Sequence, residues 1–266
     1  MRRRAGGTGG ARRAPVAVAL VSGLAVASCS VPDQDATQVG DTSRSAVVFA
    51  AASLTEVLTE LGAEFERSHP GTSIDFHFGA SSALAQQIVA GAPADVFASA
   101  SPEPVDQVVD LDLVAEPPVV FAANRLQIAV PPGNPGEVTG LADFADPDKV
   151  IALCAPEVPC GAAAREVFAL AGVDAQPDTY ERDVRATLTK VRLGEVDAAL
   201  VYRTDVLAAG EDVRGVDFPE AGRVVNEYPL AVLSEASDAD LASAFADHLR
   251  SPTAEDVLRT AGFDVP

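Results

Sequence analysis

The order of apolar segments in the first half of the chain constrains its fold more than any other feature. Short β-rich apolar runs alternate there with segments whose apolar residues recur at helical spacing. In chain order these are strand 45–51, helix 54–65, strand 74–78, helix 84–89 and strand 96–97. A β-α-β-α-β order predicts a parallel sheet with helices on both faces.

The alternation resumes beyond a proline-rich stretch. The patterns predict strands 126–130, 150–153, 198–202 and 230–233, helices 162–170 and 184–193, and a helical tail 238–262 interrupted at Ser251-Pro252. With 266 residues, 48% of them hydrophobic, the chain can bury either one large core or two of about 100–130 residues each. We expect an α/β protein with two lobes.

The N-terminus is typical of an export signal. Residues 2–13 are basic, and residues 14–27 form an apolar stretch too short for an ordinary transmembrane helix. The stretch ends in Val26-Ala27-Ser28-Cys29, which resembles a bacterial lipobox with Cys29 as the lipidated first residue of the mature chain. Ordinary signal cleavage near a chance cysteine is the alternative. The polar residues that follow, up to 44, predict a flexible tether.

The chain is strongly acidic, with 19 Lys and Arg against 39 Asp and Glu and a formal net charge of −20. Removing residues 1–28, which hold five arginines and no acid, leaves a net charge of −25 on 238 residues. Such a chain repels nucleic acid and anionic lipid surfaces, so neither is expected to be a direct partner.

Two cysteines lie close together in Cys154-Ala-Pro-Glu-Val-Pro-Cys160. Export permits a disulfide between them, and five intervening residues can close a small loop. Two buried free thiols are an alternative. A metal site is the third interpretation, but no histidine or further cysteine stands nearby. We expect the disulfide.

Small residues and serines occupy the positions where predicted strands are followed by helices. The four helix starts are residues 50–56, 78–84, 158–162 and 182–186. Helix N-termini that follow strand carboxyl ends gather at one sheet edge, where their free amides and positive dipole ends can bind an oxyanion without a cationic side chain. The same residues are also typical N-caps, and Ser53 with Glu56 matches the S-x-x-E capping box. The helix starts alone leave both interpretations open.

Six segments resemble the periplasmic molybdate-binding proteins of ABC transporters, in the family's order, from about Ser45 to the end of the chain. They are Phe49-Ala-Ala-Ala-Ser53-Leu-Thr, Gly79-Ala-Ser-Ser-Ala through Gly91-Ala-Pro-Ala-Asp95-Val-Phe, Val158-Pro-Cys-Gly161, Asp183-Val-Arg185, Ala199-Leu-Val-Tyr202 and Glu227-Tyr-Pro-Leu-Ala-Val232. The resemblance implies a type II periplasmic-binding fold, with two lobes of mixed, mainly parallel sheet flanked by helices. A two-strand hinge would let them close on one molybdate or tungstate anion.

The resemblance also implies which residues bind the anion. Carried over by motif position, they are Ser53, Ser81 and Tyr202 through their hydroxyls and Cys160 and Val184 through their backbone N–H groups. Ser81 is chosen over Ser82 because the family serine stands three residues after the strand phenylalanine, here Phe78. The family often has alanine at position 160, which a backbone donor tolerates.

The expected organisation is a signal peptide (1–28), a tether (29–44), one lobe from 45–125 plus 230–266, and a second lobe from 126–229. The resemblance implies a monomeric, lipid-anchored binding protein outside the cytoplasmic membrane. It would need no cofactor and catalyse no reaction, and it would deliver its anion to an ABC permease.

Alternative functions fit parts of the sequence. The first is the same fold binding sulfate, phosphate or another small oxyanion. A hydrolase would use Ser81 or Ser82 as nucleophile, but the G-x-S-x-G pattern lacks its last glycine. A divalent-cation protein would suit the acidity, but a D-x-D-x-D-G loop is missing. Several charged residues are expected to be structural rather than ligands: Asp95 in a turn, and Arg165, Arg182 and Arg185 as surface or lobe–lobe charges.

Overall fold

The computed structural model describes residues 44–266, so the predicted signal peptide, Cys29 and nearly all of the tether lie outside the described residues. The strands are β1 (Arg44–Ala51), β2 (Thr72–Gly79), β3 (Val96–Ala98), β4 (Val119–Val130), β5 (Ile151–Cys154), β6 (Thr179–Glu181), β7 (Ala198–Tyr202), β8 (Arg214–Val216) and β9 (Val225–Val232). The helices are α1 (Thr55–Ser68), α2 (Ser81–Val89), α3 (Pro102–Val109), α4 (Pro159–Ala171), α5 (Val184–Arg192), α6 (Arg203–Ala209), α7 (Ala239–His248) and α8 (Pro252–Thr260). None of these helices has the length and apolar content needed to cross a bilayer.

The strands form a mixed sheet in the order β2-β1-β3-β9-β4-β7-β5-β6, with β8 also paired to β4. Strand β1 runs parallel to β2 and β3, and β5 runs parallel to β6 and β7. The other four pairings, all of which involve β4 or β9, are antiparallel. The α/β prediction is confirmed, although the two long central strands make the sheet less parallel than expected.

Strand β4 changes its partners along its length. Residues 119–125 pair with β9, whereas residues 126–130 pair with β7 and β8. We call β1, β2, β3 and β9 the first sheet half, and β5 to β8 the second sheet half. Strand β4 therefore carries the chain from the first sheet half into the second.

The structure extends the predicted elements in several places. Strand β4 begins at Val119 and β9 at Val225, earlier than predicted. Asn124-Arg125 in β4 and Asn226-Glu227 in β9 interrupt the apolar pattern, so the sequence predicts only the second part of each strand. Helix α3 begins at Pro102, in the proline-rich stretch between the predicted strands, and proline is favoured in the first turn of a helix. Strand β1 begins at Arg44, one residue inside the predicted tether.

The helices bury their apolar faces against the sheet. On α1 the predicted helical pattern is confirmed, since Leu58, Leu61 and Phe65 are fully buried. The predicted break in the C-terminal tail is also confirmed. The hydroxyl of Ser251 accepts a hydrogen bond from the N–H of Ala254 at 3.2 Å and thereby begins α8.

Candidate functional site

The structure brings all five predicted ligand residues to one small cavity. Ser53, Ser81, Cys160, Val184 and Tyr202 line it together with Ala51, Ala52, Gly79, Ala80, Ala100, Val158, Pro159 and Asp183. Its volume is about 20 Å³, and one water molecule needs about 10–15 Å³ in the same measure. The cavity therefore fits one compact ion rather than an organic solute.

The sheet topology explains why these distant residues meet. Residues 52–54 form a 3₁₀ turn at the carboxyl end of β1, and α2 begins after the parallel strand β2. In the second sheet half, α4, α5 and Tyr202 follow the carboxyl ends of β5, β6 and β7, which are also parallel. The carboxyl ends of both groups of parallel strands meet at the cavity, as in other α/β ligand sites.

Both predicted serines are buried, and the hydroxyl oxygen of each takes part in one hydrogen bond within the described part of the chain. Ser81 is 1% exposed, and its Oγ accepts the N–H of Ala100 at 3.0 Å. This is the one hydrogen bond of the Ser81 hydroxyl within residues 44–266, so its own proton is free to be donated. Ser53 is 5% exposed, and its Oγ lies 2.8 Å from the hydroxyl oxygen of Tyr228.

Tyr202 contributes a hydroxyl that is buried without a hydrogen bond. The residue is 1% exposed, and its Oη has no partner of acceptable geometry within residues 44–266. Burial raises the pKa of Tyr202 well above its ordinary value, and the nearby Tyr228 and Asp205 add to the rise. The hydroxyl is therefore protonated at physiological pH and can act as a donor. A buried polar group without a partner is costly, so it points to a ligand.

The Cys160 segment is held by a disulfide and a close backbone contact. Cys154, at the end of β5, is bonded to Cys160 in the first turn of α4, with the two Cα atoms 5.8 Å apart. This is the pairing that the sequence predicts. The next residue is glycine because a Cβ on Gly161 would collide with the carbonyl oxygen of Ala155. No side chain caps α4, Pro159 has no N–H, and Gly161 and Ala162 both donate to the carbonyl of Val158 at 2.9 Å. The N–H of Cys160 is therefore the first amide of the helix and has no acceptor within residues 44–266.

Val184 is the first residue of α5, and its neighbour Asp183 caps that helix. The Asp183 side chain accepts the N–H of Ala186 at 2.8 Å and also lies 3.3 Å from the exposed Arg182 guanidinium. Among the cavity-lining residues Asp183 is the one with a charged side chain. Apart from the Asp183 carboxylate, the cavity is therefore lined by hydroxyls, backbone and small apolar groups, without a cationic side chain.

The capping-box interpretation of Ser53 is wrong. Helix α1 begins at Thr55, its N-cap position is Leu54, and no side chain caps it. The Ser53 hydroxyl is bonded to Tyr228 instead. The Glu56 carboxylate is also not turned back to the helix, and it pairs with the guanidinium of Arg185 on α5. This ion pair joins the segment that carries Ser53 to the segment that carries Val184.

A buried acid, Asp205, is hydrogen-bonded to the backbone of Tyr202. Asp205 is 2% exposed, and its Oδ2 accepts the N–H of Tyr202 at 3.0 Å while Oδ1 has no partner within residues 44–266. Burial raises the pKa of Asp205 to about 7, opposed by the Tyr202 N–H bond and the charge of Arg185. Asp205 therefore changes its charge near neutral pH.

Asp95 has the structural role that its motif predicted. Its carboxylate accepts hydrogen bonds from the N–H of Val47 at 2.6 Å and from the N–H and hydroxyl of Ser237. These bonds tie β3 to β1 and to the turn before α7. Elsewhere within residues 44–266, no group of three or more His, Cys, Asp or Glu side chains is arranged to hold a metal ion.

Comparison with known proteins identifies the family of this chain. Residues 46–264 match the family described as bacterial extracellular solute-binding protein. The chain belongs to this family. The molybdate-binding protein ModA of Mycobacterium tuberculosis (strain ATCC 25618 / H37Rv) is 38% identical over 251 residues, which cover 94% of this chain and 96% of that protein. The family consists of transport proteins that bind solutes outside the cytoplasm.

Solved structures show the fold of this solute-binding protein more broadly. The periplasmic molybdate-binding protein of Azotobacter vinelandii superposes with a TM-score of 0.71 at 21% identity, over 83% of this chain and 99% of that one. The sulfate-binding protein SubI of Mycobacterium tuberculosis H37Rv gives a TM-score of 0.73 at 18% identity, over 84% and 87%. These likenesses confirm the periplasmic-binding fold. The fold does not by itself select the anion.

The sequence did not predict the buried polar residues that lie next to the cavity-lining serines and Tyr202. Tyr228 lies within Glu227-Tyr-Pro-Leu-Ala-Val232, one of the segments that carry the family resemblance, but the resemblance predicts no ligand contact for its side chain. Asn124, Thr204 and Asp205 carry no local motif that distinguishes them, although all three are nearly completely buried. A polar residue inside a strand, as at position 124, is the one signal that could have identified part of this group.

Proposed function

We propose that this solute-binding protein captures molybdate outside the cytoplasm and delivers it to an ABC permease. The observation that carries the proposal is the unpartnered, protonated hydroxyl of Tyr202, a buried residue that lines a cavity of ionic size. An oxyanion oxygen is the acceptor that this donor lacks. Capture and delivery involve no bond making or breaking in the solute, so the protein acts as a carrier and not as an enzyme.

The donors around the cavity support a fully ionised, tetrahedral ligand. Ser53, Ser81 and Tyr202 would donate through their hydroxyls, and Cys160 and Val184 through their backbone N–H groups. These five residues line the cavity from both sheet halves. Hydrogen bonds to an ionised acceptor are about twice as strong as those between neutral groups. The ligand's charge is thus balanced by dipoles, without a counter-cation.

The names of relatives support molybdate as the ligand, since the Mycobacterium tuberculosis relative is a molybdate-binding protein. Tungstate has nearly the same size and the same charge and shape, so we propose that it binds as well. Sulfate is the alternative, because a sulfate-binding protein shares the fold.

We further propose that the ligand closes two lobes, 45–125 with 230–266 and 126–229, through a hinge in β4 and β9. The change of partners of β4 between residues 125 and 126 supports this division. The Glu56–Arg185 ion pair would then be a contact that forms on closure. A lobe that binds first and a second lobe that closes over the anion would bury it completely.

The lipobox at Cys29 supports attachment of the exported, monomeric protein to the outer face of a membrane. Cells grown with an alkyne-tagged fatty acid should label the wild-type protein, whereas a Cys29→Ala variant should remain unlabelled. Labelling of both proteins to the same extent would contradict lipidation at Cys29.

Calorimetric titration tests the proposed ligand. The mature chain with Cys29→Ser, which prevents lipidation, is titrated with molybdate, tungstate, sulfate and phosphate. We expect tight 1:1 binding of the first two and no measurable heat from the others. Preference for sulfate would retain the site but overturn the molybdate proposal. If none of the four anions gave a measurable heat of binding, the site assignment would be overturned as well.

The serines provide a matched test of the site. Ser53→Ala combined with Ser81→Ala should weaken molybdate binding at least about tenfold, because two donors to an ionised ligand are lost. Ser82→Ala is the control, since Ser82 is the neighbouring serine and does not line the cavity. Unchanged affinity in the double variant would contradict the assignment.

A further inference from the structure

A chain of buried hydrogen bonds runs behind Ser53 and connects it with β4, β9 and α6. The Ser53 Oγ lies 2.8 Å from Tyr228 Oη, and Asn124 Nδ2 lies 3.4 Å from that same oxygen. Asn124 Nδ2 also donates to Thr204 Oγ1 at 2.8 Å. All four residues are at most 5% exposed. We call Ser53, Tyr228, Asn124 and Thr204 the Ser53 network.

The direction of these hydrogen bonds follows from the orientation of Asn124. Its Oδ1 accepts the N–H of Arg125 at 2.9 Å, which places the amide nitrogen toward Thr204 and Tyr228. An amide nitrogen can only donate, so Tyr228 Oη is an acceptor there. Of the two hydrogen-bond partners of Tyr228 Oη within residues 44–266, only Ser53 Oγ can accept a proton, so we assign the Tyr228 proton to that bond. Burial raises the pKa of Tyr228 above its ordinary value, so the hydroxyl keeps that proton.

These hydrogen bonds determine which groups of the cavity can donate to a ligand. A Ser53 oxygen that accepts from Tyr228 leaves its own proton to be donated to a ligand. Ser81 is in the same condition, because its oxygen accepts the N–H of Ala100. Asp183, the carboxylate at the cavity, is already engaged by Ala186 and Arg182. Both serines are thus set as donors by the groups that hydrogen-bond to their oxygens.

We propose that Tyr228 is a positioning and specificity residue, which fixes Ser53 as a donor and so favours unprotonated oxyanions over protonated ones. The inference rests on the proposed function and deepens it. Molybdate and sulfate present only acceptors at neutral pH, whereas phosphate carries at least one proton that needs an acceptor. A Ser53 hydroxyl that could turn would offer that acceptor.

Tyr228→Phe tests the proposal because it removes the hydroxyl and keeps the ring. The ring packs edge-on against Tyr202 and Phe263, with centroids 6.1 Å and 5.5 Å away, and these contacts persist in the variant. We expect molybdate affinity to fall about three- to tenfold, the range for one hydrogen bond. Phosphate should displace bound molybdate at a lower excess than from the wild type. Tyr180→Phe, which removes an exposed hydroxyl, is the control.

A double-mutant cycle separates positioning from packing. If Tyr228 acts through Ser53, Tyr228→Phe should have no further effect on molybdate affinity in the Ser53→Ala background. An equal loss in both backgrounds, unchanged affinity, or an unchanged phosphate excess would overturn the proposal. Should Tyr228→Phe not fold, Asn124→Asp places an acceptor where the amide donates and should weaken molybdate binding. A wild type that does not bind molybdate would instead refute the proposed function.

Discussion

Replacing Tyr202 by phenylalanine separates a ligand-directed hydroxyl from a structural one. The substitution keeps a buried ring and removes an oxygen that has no hydrogen-bond partner within residues 44–266. In the molybdate complex the variant loses one hydrogen bond to an ionised acceptor, worth about 1.5–3 kcal/mol. Since 1.4 kcal/mol corresponds to a factor of ten, the dissociation constant should rise about ten- to 150-fold.

The same substitution should not reduce the stability of the ligand-free protein. A structural hydroxyl would stabilise the fold through its partner, but the Tyr202 oxygen has none to lose. The free energy of unfolding of the Tyr202→Phe variant should therefore equal or exceed that of the wild type, because an unsatisfied buried group costs about 1–3 kcal/mol.

Two measurements check this prediction. Calorimetric titration gives the molybdate affinity, and urea unfolding without ligand gives the stability. Tyr180→Phe, with its exposed ring, is the control for both. Equal affinity in wild type and variant, or a clear loss of stability in the ligand-free variant, would refute the argument that the hydroxyl faces the ligand.

Three further perturbations test the surroundings of the site. Arg185→Gln should weaken molybdate binding by no more than about fivefold and only at low salt, because its pair with Glu56 is partly exposed; titration at two salt concentrations checks this. Asp205→Asn should gain stability over the wild type from pH 5 to pH 8 in urea unfolding. With a raised pKa of about 7, against 3.8 ordinarily, the wild type loses about 1.4 kcal/mol of stability per pH unit from pH 5 up to about pH 7, about 3 kcal/mol in all, and its stability then levels off. Cys154→Ala with Cys160→Ala should lower the free energy of unfolding by about 2 kcal/mol, seen in urea unfolding, yet retain molybdate binding through the backbone.

Much of the fold could be predicted because the relevant segments carry strong local patterns. Strand β7 was predicted with its observed limits, since five consecutive apolar or aromatic residues fill it. Strand β6 and helix α6 were missed for local reasons. The three residues of β6 are partly exposed, and α6 follows β7 without an intervening turn signal. Short elements of this kind are determined by their neighbours in the sheet rather than by their own composition.

The candidate site was predictable only in part, because a motif identifies residues but not their partners. The family resemblance selected Ser53, which the structure brings to the cavity. The same residue also matched a capping box, and local sequence could not choose between the two roles. The choice depends on Tyr228, which lies 175 residues away in the sequence. Tertiary pairing of β4 with β9 determines where that hydroxyl lies.

Charge and hydrogen-bond direction should have separable effects on this protein. With a net charge of −25 after residue 28, the chain repels all anions alike beyond contact distance, and salt screens that repulsion beyond about 8–10 Å. Charge therefore cannot rank anions of equal charge, whereas donors of fixed direction can. Changes at Glu56 or Arg185 should alter the affinity for molybdate and tungstate by the same factor. Changes at Tyr228 should alter the preference for molybdate over phosphate.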